Sequence, residues 1–192
     1  MTRLDQQVAF LVEADRLKSV NRAATLVDAS RHENSAEHSW HLCLYAVVLA
    51  DQAGPDVDIG RVVKMLILHD LVEIDAGDHP VFGDADLDAI KAQEDAAADR
   101  IFGLLPADLR DELRGVWEEF EAALTPSAQF AKALDRFQPP MQNLASGGVS
   151  WAAFNVTPEK IEARVAPSIM RGAPALWDYA RARIDAFFNG RT

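Results

Sequence analysis

The sequence predicts an all-α fold in a single domain, and three observations predict it. Apolar residues recur at three- and four-residue spacing along most of the chain. Helix starts are written as caps and prolines at Asn34-Ser-Ala-Glu37, Pro106, Thr125-Pro126 and Thr157-Pro158. Nowhere does a run alternate apolar and polar residues with the β-branched enrichment of a strand. At 192 residues the chain can bury one full core and is short for two ordinary domains.

The first helix is expected from about Leu4 to Lys18, with Val8, Phe10, Leu11, Val12 and Leu17 apolar and Asp15 and Lys18 opposite. Val20 to His32 loses that periodicity and reads as a connector with room for a short helix. Asn34 and Glu37 form a capping box that opens a strongly apolar helix from about Ser35 to Ala53, ended by Gly54-Pro55. Asp58 caps a helix from Ile59 to about Asp75, and a polar loop follows from Gly77 to Asp84. An alanine-rich, acidic helix covers Leu87 to about Leu104, and Pro106 opens another from Ala107 to Ala123. Thr125-Pro126 starts a helix from Ala128 to about Phe137. Pro139-Pro140 should interrupt it, with a resumption from Met141 to about Leu144. Gly147-Gly148 forces a turn. Thr157-Pro158 then starts Lys160 to about Ile169, and Pro174 starts Ala175 to about Phe188.

Hydrophobic residues make up 49% and charged residues 26% of the chain, which is the composition of a soluble globular protein. A net charge of -11 argues against non-specific nucleic-acid binding, which depends on Lys and Arg against phosphates. It leaves room for a small phosphorylated ligand, because a cation and one or two arginines reverse the field locally. The lone cysteine, Cys43, excludes an intrachain disulfide, fits a reducing compartment and lies in an apolar run as a packed thiol. The start of the chain lacks a signal-peptide pattern and no run approaches a membrane span, so the expected location is the cytoplasm. Trp40, Trp117, Trp151 and Trp177 serve as core, dimer interface or base-stacking platforms, with core the default in apolar runs.

Chemistry concentrates in Ile67-Leu-His-Asp-Leu-Val-Glu-Ile-Asp-Ala-Gly-Asp78. His69 and Asp70 stand where an apolar helix should continue, and burying both is costly unless something binds them. A divalent metal satisfies both; a salt-bridged pair in a core helix is the plainer alternative. Glu73 returns to the face of His69 one turn later. His38, in the first turn of an apolar helix, is the best partner, and His41 three residues on is a rival ligand or a supporting group. His79 follows the helix stop and is expected in solvent, and His32 receives no role. Asp135 interrupts the apolar face Phe130, Ala131, Leu134 and Phe137, and reads either as a fourth ligand or as an ion-pair neighbour of Arg136. Two imidazoles and two carboxylates suit Mn, Fe, Co, Ni or Zn better than Ca. Open positions on such an ion favour metal-assisted hydrolysis of a phosphate ester.

The order His38, His69-Asp70, Asp135 resembles the H…HD…D pattern of the HD-domain metal-dependent phosphohydrolases. The flanks Arg31-His-Glu-Asn-Ser-Ala-Glu-His-Ser39, His69-Asp-x-x-Glu73 with Gly77-Asp78, and Lys132-Ala-Leu-Asp-Arg-Phe-Gln-Pro139 are similar to the branch containing the 5′-deoxynucleotidases. The resemblance covers about residues 17–151, with helices over about 157–188 packing on that core. It implies an HD-domain helical bundle holding one metal through His38, His69, Asp70 and Asp135, since only His79 follows the His-Asp pair where two-metal members carry further histidines. It implies hydrolysis of (deoxy)nucleoside 5′-monophosphates to nucleoside and phosphate, and a homodimer. Glu73 and Asp70 become the catalytic pair, with Glu73 orienting or deprotonating water or protonating the leaving oxygen. Arg22 matches an arginine that contacts the phosphate, against the alternative of a loop charge, and Asp78 a carboxylate near the sugar, against that of a turn former. The branch's bacterial members place a tryptophan after that arginine where this chain has Ala23, which implies weaker rejection of ribonucleotides or a different substrate. Two other readings remain open: an HD-type hydrolase of a diphosphate, triphosphate or phosphodiester, and a non-catalytic sensor or scaffold.

Overall fold

The computed structural model describes residues 1–83 and 86–190. It is helical except for one small hairpin. In chain order the helices are α1 (Arg3–Ala14), α2 (Ser35–Val48), α3 (Ile59–Leu68), α4 (Glu73–Ala76), α5 (Leu87–Phe102) and α6 (Ala107–Ala122). They continue with α7 (Pro126–Ala145), α8 (Val149–Ala153), α9 (Pro158–Arg164), α10 (Ala166–Gly172) and α11 (Pro174–Asn189). α7 runs through the middle and packs on α2, α3, α6, α10 and α11. Its inner face carries Phe130, Leu134 and Phe137 into one continuous core with Leu42, Met65, Leu66, Phe102 and Phe120. No helix among the described residues is long and apolar enough to cross a membrane.

The starts expected from caps are where the sequence puts them. Asn34 accepts from the Glu37 amide while the Glu37 side chain accepts from the Asn34 amide, so the first turn of α2 is closed from both sides. Asp58 caps α3, and Thr125 caps α7 with Pro126 in its first turn.

Several expectations are corrected. The Val20–His32 connector contains a two-stranded antiparallel sheet, β1 (Asn21–Thr25) and β2 (His32–Asn34), paired at Asn21 with Asn34 and at Thr25 with His32. A register irregularity between those pairs breaks the two-residue alternation that would have announced it. The first helix ends at Ala14 in a 3-10 turn, Asp15–Ser19, and α2 ends at Val48 before another, Ala50–Gln52. The helix expected through Asp75 breaks after Leu68: Leu71 and Glu73 bond to the carbonyls of Leu68 and Asp70, three residues back. His69 and Asp70 therefore occupy a turn rather than a helix interior. Pro139-Pro140 does not interrupt α7, which passes through both. The two lost backbone bonds are outweighed by packing, since Leu134 and Phe137 before the prolines and Gln142 and Asn143 after them are buried. Lys160 to Ile169 is split at Val165 into α9 and α10. Trp117, Trp151 and Trp177 are core as expected, whereas Trp40 is exposed. The end of the expected polar loop, Asp84, lies outside the described residues.

Candidate active site

His38 in the first turn of α2, His69 at the end of α3 and Asp135 in the middle of α7 converge. Each offers one ligand atom, and these atoms lie within 4.8 Å of one another. All three residues are buried. His38 Nε2 is 3.1 Å from Asp135 Oδ1, and His69 Nε2 is 3.8 Å from the same oxygen. The capping box fixes the turn that carries His38. The break after Leu68 lets the His69 ring turn back, with Nδ1–H donating to the Leu66 carbonyl at 2.9 Å. That bond selects the tautomer whose Nε2 lone pair faces the cluster. Nε2 is buried and has no hydrogen-bond partner, although Asp70 Oδ1 is 2.9 Å away, because the ring does not line up with it. A buried nitrogen left over among carboxylates, in a set of imidazole and carboxylate donors, fits a transition-metal or zinc ion.

Asp70 lies beside the three-residue cluster and is not counted in it. Its Oδ2 accepts from Arg22 Nη1 at 3.0 Å, while its Oδ1 faces His69. Arg22 is no loop charge. It projects from β1 with its side chain only 13% exposed, and Glu33, Asp70, Glu73 and Asp78 all lie within 3.9 Å of its guanidinium. Burial alone would make that charge easier to lose, but the surrounding carboxylates hold it on more firmly than usual. Asp78 Oδ2 accepts from the Ala23 amide at 3.3 Å, so the loop after α4 is joined to β1. Burial, opposed by Arg22, pushes the Asp78 carboxyl up.

Glu73, at the start of α4, receives the Ser35 hydroxyl on Oε2 at 2.5 Å. Burial and the neighbouring Asp70 push its carboxyl well above the ordinary 4.5, against the opposing pull of Arg22. Burial also opposes charge on Asp135, yet Arg136 and the two histidines hold it well below the ordinary carboxylate range. Both readings of Asp135 thus find an observation: Arg136 Nε is 3.7 Å from Oδ2 while Oδ1 faces the imidazoles. His41 stays outside the cluster, where Gln138 Nε2 reaches its Nδ1 at 3.3 Å. His79 and His32 are exposed.

Sequence reasoning assigned nothing to Glu33, which is 2% exposed behind His38. Its Oε1 accepts from Gln138 at 3.2 Å and from Gln142 at 2.8 Å. The signal was on α7: Asp135, Gln138 and Gln142 put polar side chains at helical spacing on a buried face. Lys132 was also passed over. Its ammonium pairs with Glu121 at 2.9 Å and stands 3.9 Å above the Phe120 ring, which packs edge-on against His69. A cavity of about 200 Å³ is lined by His69, Asp70, Glu73, Arg22 and Asp135 together with the apolar side chains of Phe82, Trp151 and Phe154.

A family model for the HD domain matches residues 14–177. A human protein, 5′-deoxynucleotidase HDDC2, is 30% identical over 134 residues, covering 69% of this chain and 64% of its own, so the match spans just under two thirds of that relative. The Schizosaccharomyces pombe 5′-deoxynucleotidase hdd1 is 26% identical over 136 residues, covering 68% of this chain and 67% of its own. A crystal structure from Magnetospirillum magnetotacticum MS-1, named a predicted metal-dependent phosphohydrolase, superposes with TM-score 0.91 at 44% identity. It covers 97% of this chain and 96% of that one. A Pyrococcus furiosus structure of 22% identity, TM-score 0.58, shares the fold.

Proposed function

The chain belongs to the HD domain family, and from that premise we propose a metal-dependent phosphomonoesterase that hydrolyses (deoxy)nucleoside 5′-monophosphates. The observation that carries the reading is a cavity lined by His69, Asp135 and the buried Arg22 together with Phe82, Trp151 and Phe154, with His38 completing the ligand cluster from outside its lining. A phosphoryl group fits the polar end, and a nucleoside the apolar one. The relatives named 5′-deoxynucleotidases and the phosphohydrolase structure support it.

His38, His69, Asp70 and Asp135 would hold one divalent cation of the Mn, Fe, Co, Ni or Zn class. When bound, the cation supplies polarisation of a phosphoryl oxygen and a lowered pKa for water. Arg22 binds the phosphoryl oxygens and neutralises the charge that develops on them. Burial and Asp70 favour a proton on the Glu73 carboxyl, whose Oε2 accepts from Ser35. That proton is delivered to the departing 5′ oxygen, so Glu73 serves as the general acid. Asp78 holds Ala23 and the wall beside the sugar. Phosphate release from a panel of mono-, di- and triphosphates tests the assignment. Release from monophosphates alone supports it; release confined to di- or triphosphates with the metal loaded replaces it.

We place the chain as one domain in the cytoplasm, a reading its single cysteine supports. It pairs with a second copy through α2, whose outer face exposes Trp40, Leu44, Val47 and Val48 at helical spacing. Sedimentation of a Leu44→Glu variant checks the pairing: a monomer is expected, and an unchanged dimer moves the interface elsewhere.

A further inference from the structure

We infer that Glu33 is a positioning residue that couples the phosphate-binding Arg22 to the metal-binding His38 through one oxygen, Oε2; this rests on the site assignment proposed above. Three buried atoms without a hydrogen-bond partner meet at this point: Arg22 Nε, Glu33 Oε2 and His38 Nδ1. Oε2 lies 3.8 Å from Nε and 3.5 Å from Nδ1, so a shift of about 0.6 to 1 Å makes it the shared acceptor of two charge-assisted bonds. The other oxygen cannot serve them, because Gln138 and Gln142 donate to Oε1 from α7. The two amides fix the carboxylate plane and present Oε2 to both donors.

The geometry has a consequence at each end. A proton on His38 Nδ1 directed at Glu33 leaves the Nε2 lone pair for the cluster, where Asp135 Oδ1 is 3.1 Å away. Holding Arg22 by Nε leaves Nη1 on the cavity side, where it now reaches Asp70. One carboxylate thus sets the bearing of a metal ligand and of a phosphate ligand together. A carboxylate whose side chain is 3% exposed is a poor choice for stability alone, since an apolar residue would avoid its desolvation. Glu33 is ionised at neutral pH because, against burial, His38, Gln142 and Arg22 favour the charged form.

Glu33→Gln keeps the shape and removes the charge. Titration of the metal-free protein with Mn²⁺, read by calorimetry, is expected to show about 10- to 100-fold weaker binding in the variant. Inorganic phosphate is expected to bind the metal-loaded variant more weakly as well, and KM for dAMP to rise. Unchanged Mn²⁺ affinity beside a lowered melting temperature would make Glu33 merely structural and overturn the inference. A wild-type protein that takes up no divalent cation would instead refute the site assignment, and the inference with it. If Glu33→Gln does not fold by circular dichroism, Gln142→Leu decides. It keeps the charge but frees one side of the carboxylate, so a several-fold loss of Mn²⁺ affinity supports the coupling and unaltered affinity ends it.

Discussion

Burial and the carboxylates of Asp70 and Asp78 push the Glu73 carboxyl well above its ordinary value, against Arg22. Glu73→Gln cannot give up a proton to the leaving group, yet it preserves size and the contact with Ser35. The rate constant for dAMP is expected to fall about 100- to 10,000-fold, while calorimetry finds metal affinity within a few-fold of wild type. At Ala23 the cavity wall carries only a methyl group, and its amide is already held by Asp78. dAMP and AMP are therefore expected to differ in turnover by at most about 10- to 200-fold, since a missing pocket contact is worth about 1–3 kcal/mol. Ala23→Trp is expected to widen that ratio in favour of dAMP, measured as kcat/KM. His69 and Asp135 were legible in the sequence because each interrupts an apolar helical run, and His38 because it stands in the first turn of an apolar helix. Glu33 was not, because it lies in a polar connector and two of its buried partners, Gln138 and Gln142, stand on a helix far along the chain.

Among the elements, α10 approaches α7 so closely at Gly172 that a Cβ there would land inside the carbonyl of Gln129 and 2.9 Å from Ala133 Cβ. Backbone cannot swing aside as a side chain does, so Gly172→Ala is expected to cost about 1–3 kcal/mol or more, read from urea unfolding. Asn34→Ala removes one half of the α2 capping box. It is expected to cost about 1 kcal/mol and, by loosening the turn that bears His38, to weaken metal binding as well. Caps and prolines made the helix starts readable, because they act within four residues. The hairpin was not readable, since β2 has three residues and β1 carries the irregularity. The passage of α7 through Pro139-Pro140 was not readable either, because it depends on what packs against the helix rather than on the helix itself.

For the molecule as a whole, the site makes stability depend on pH and on metal in opposite senses. Burial would push the His69 imidazole down, but Asp70 and Asp135 raise it from 6.5 to about 10 in the metal-free protein. The folded state then holds a proton that the unfolded chain has released, so this contribution is complete below pH 6.5 and is lost as pH rises through about 10. Asp70, drawn down to about 2 by His69 and Arg22 despite burial, contributes above its ordinary 3.8 and fails as pH falls toward 2. Glu73 works with His69, disfavouring the fold as pH rises past 4.5. The melting temperature of chelator-treated protein is therefore expected to decline from pH 6.5 to 10. Metal requires neutral His69, so binding releases a proton and the stabilisation by added metal grows over the same interval.

The pairing of Asn21 with Asn34 places Arg22 and Glu33 on adjacent strands, close enough for their side chains to meet. Between the two pairs β1 has three residues against one in β2, so the irregularity itself decides which β1 side chain meets Glu33. An extra residue between Asn21 and Arg22 is expected to shift Arg22 along that irregular stretch and part the pair. The same insertion between Leu26 and Arg31, beyond the paired residues, would only lengthen a surface bend.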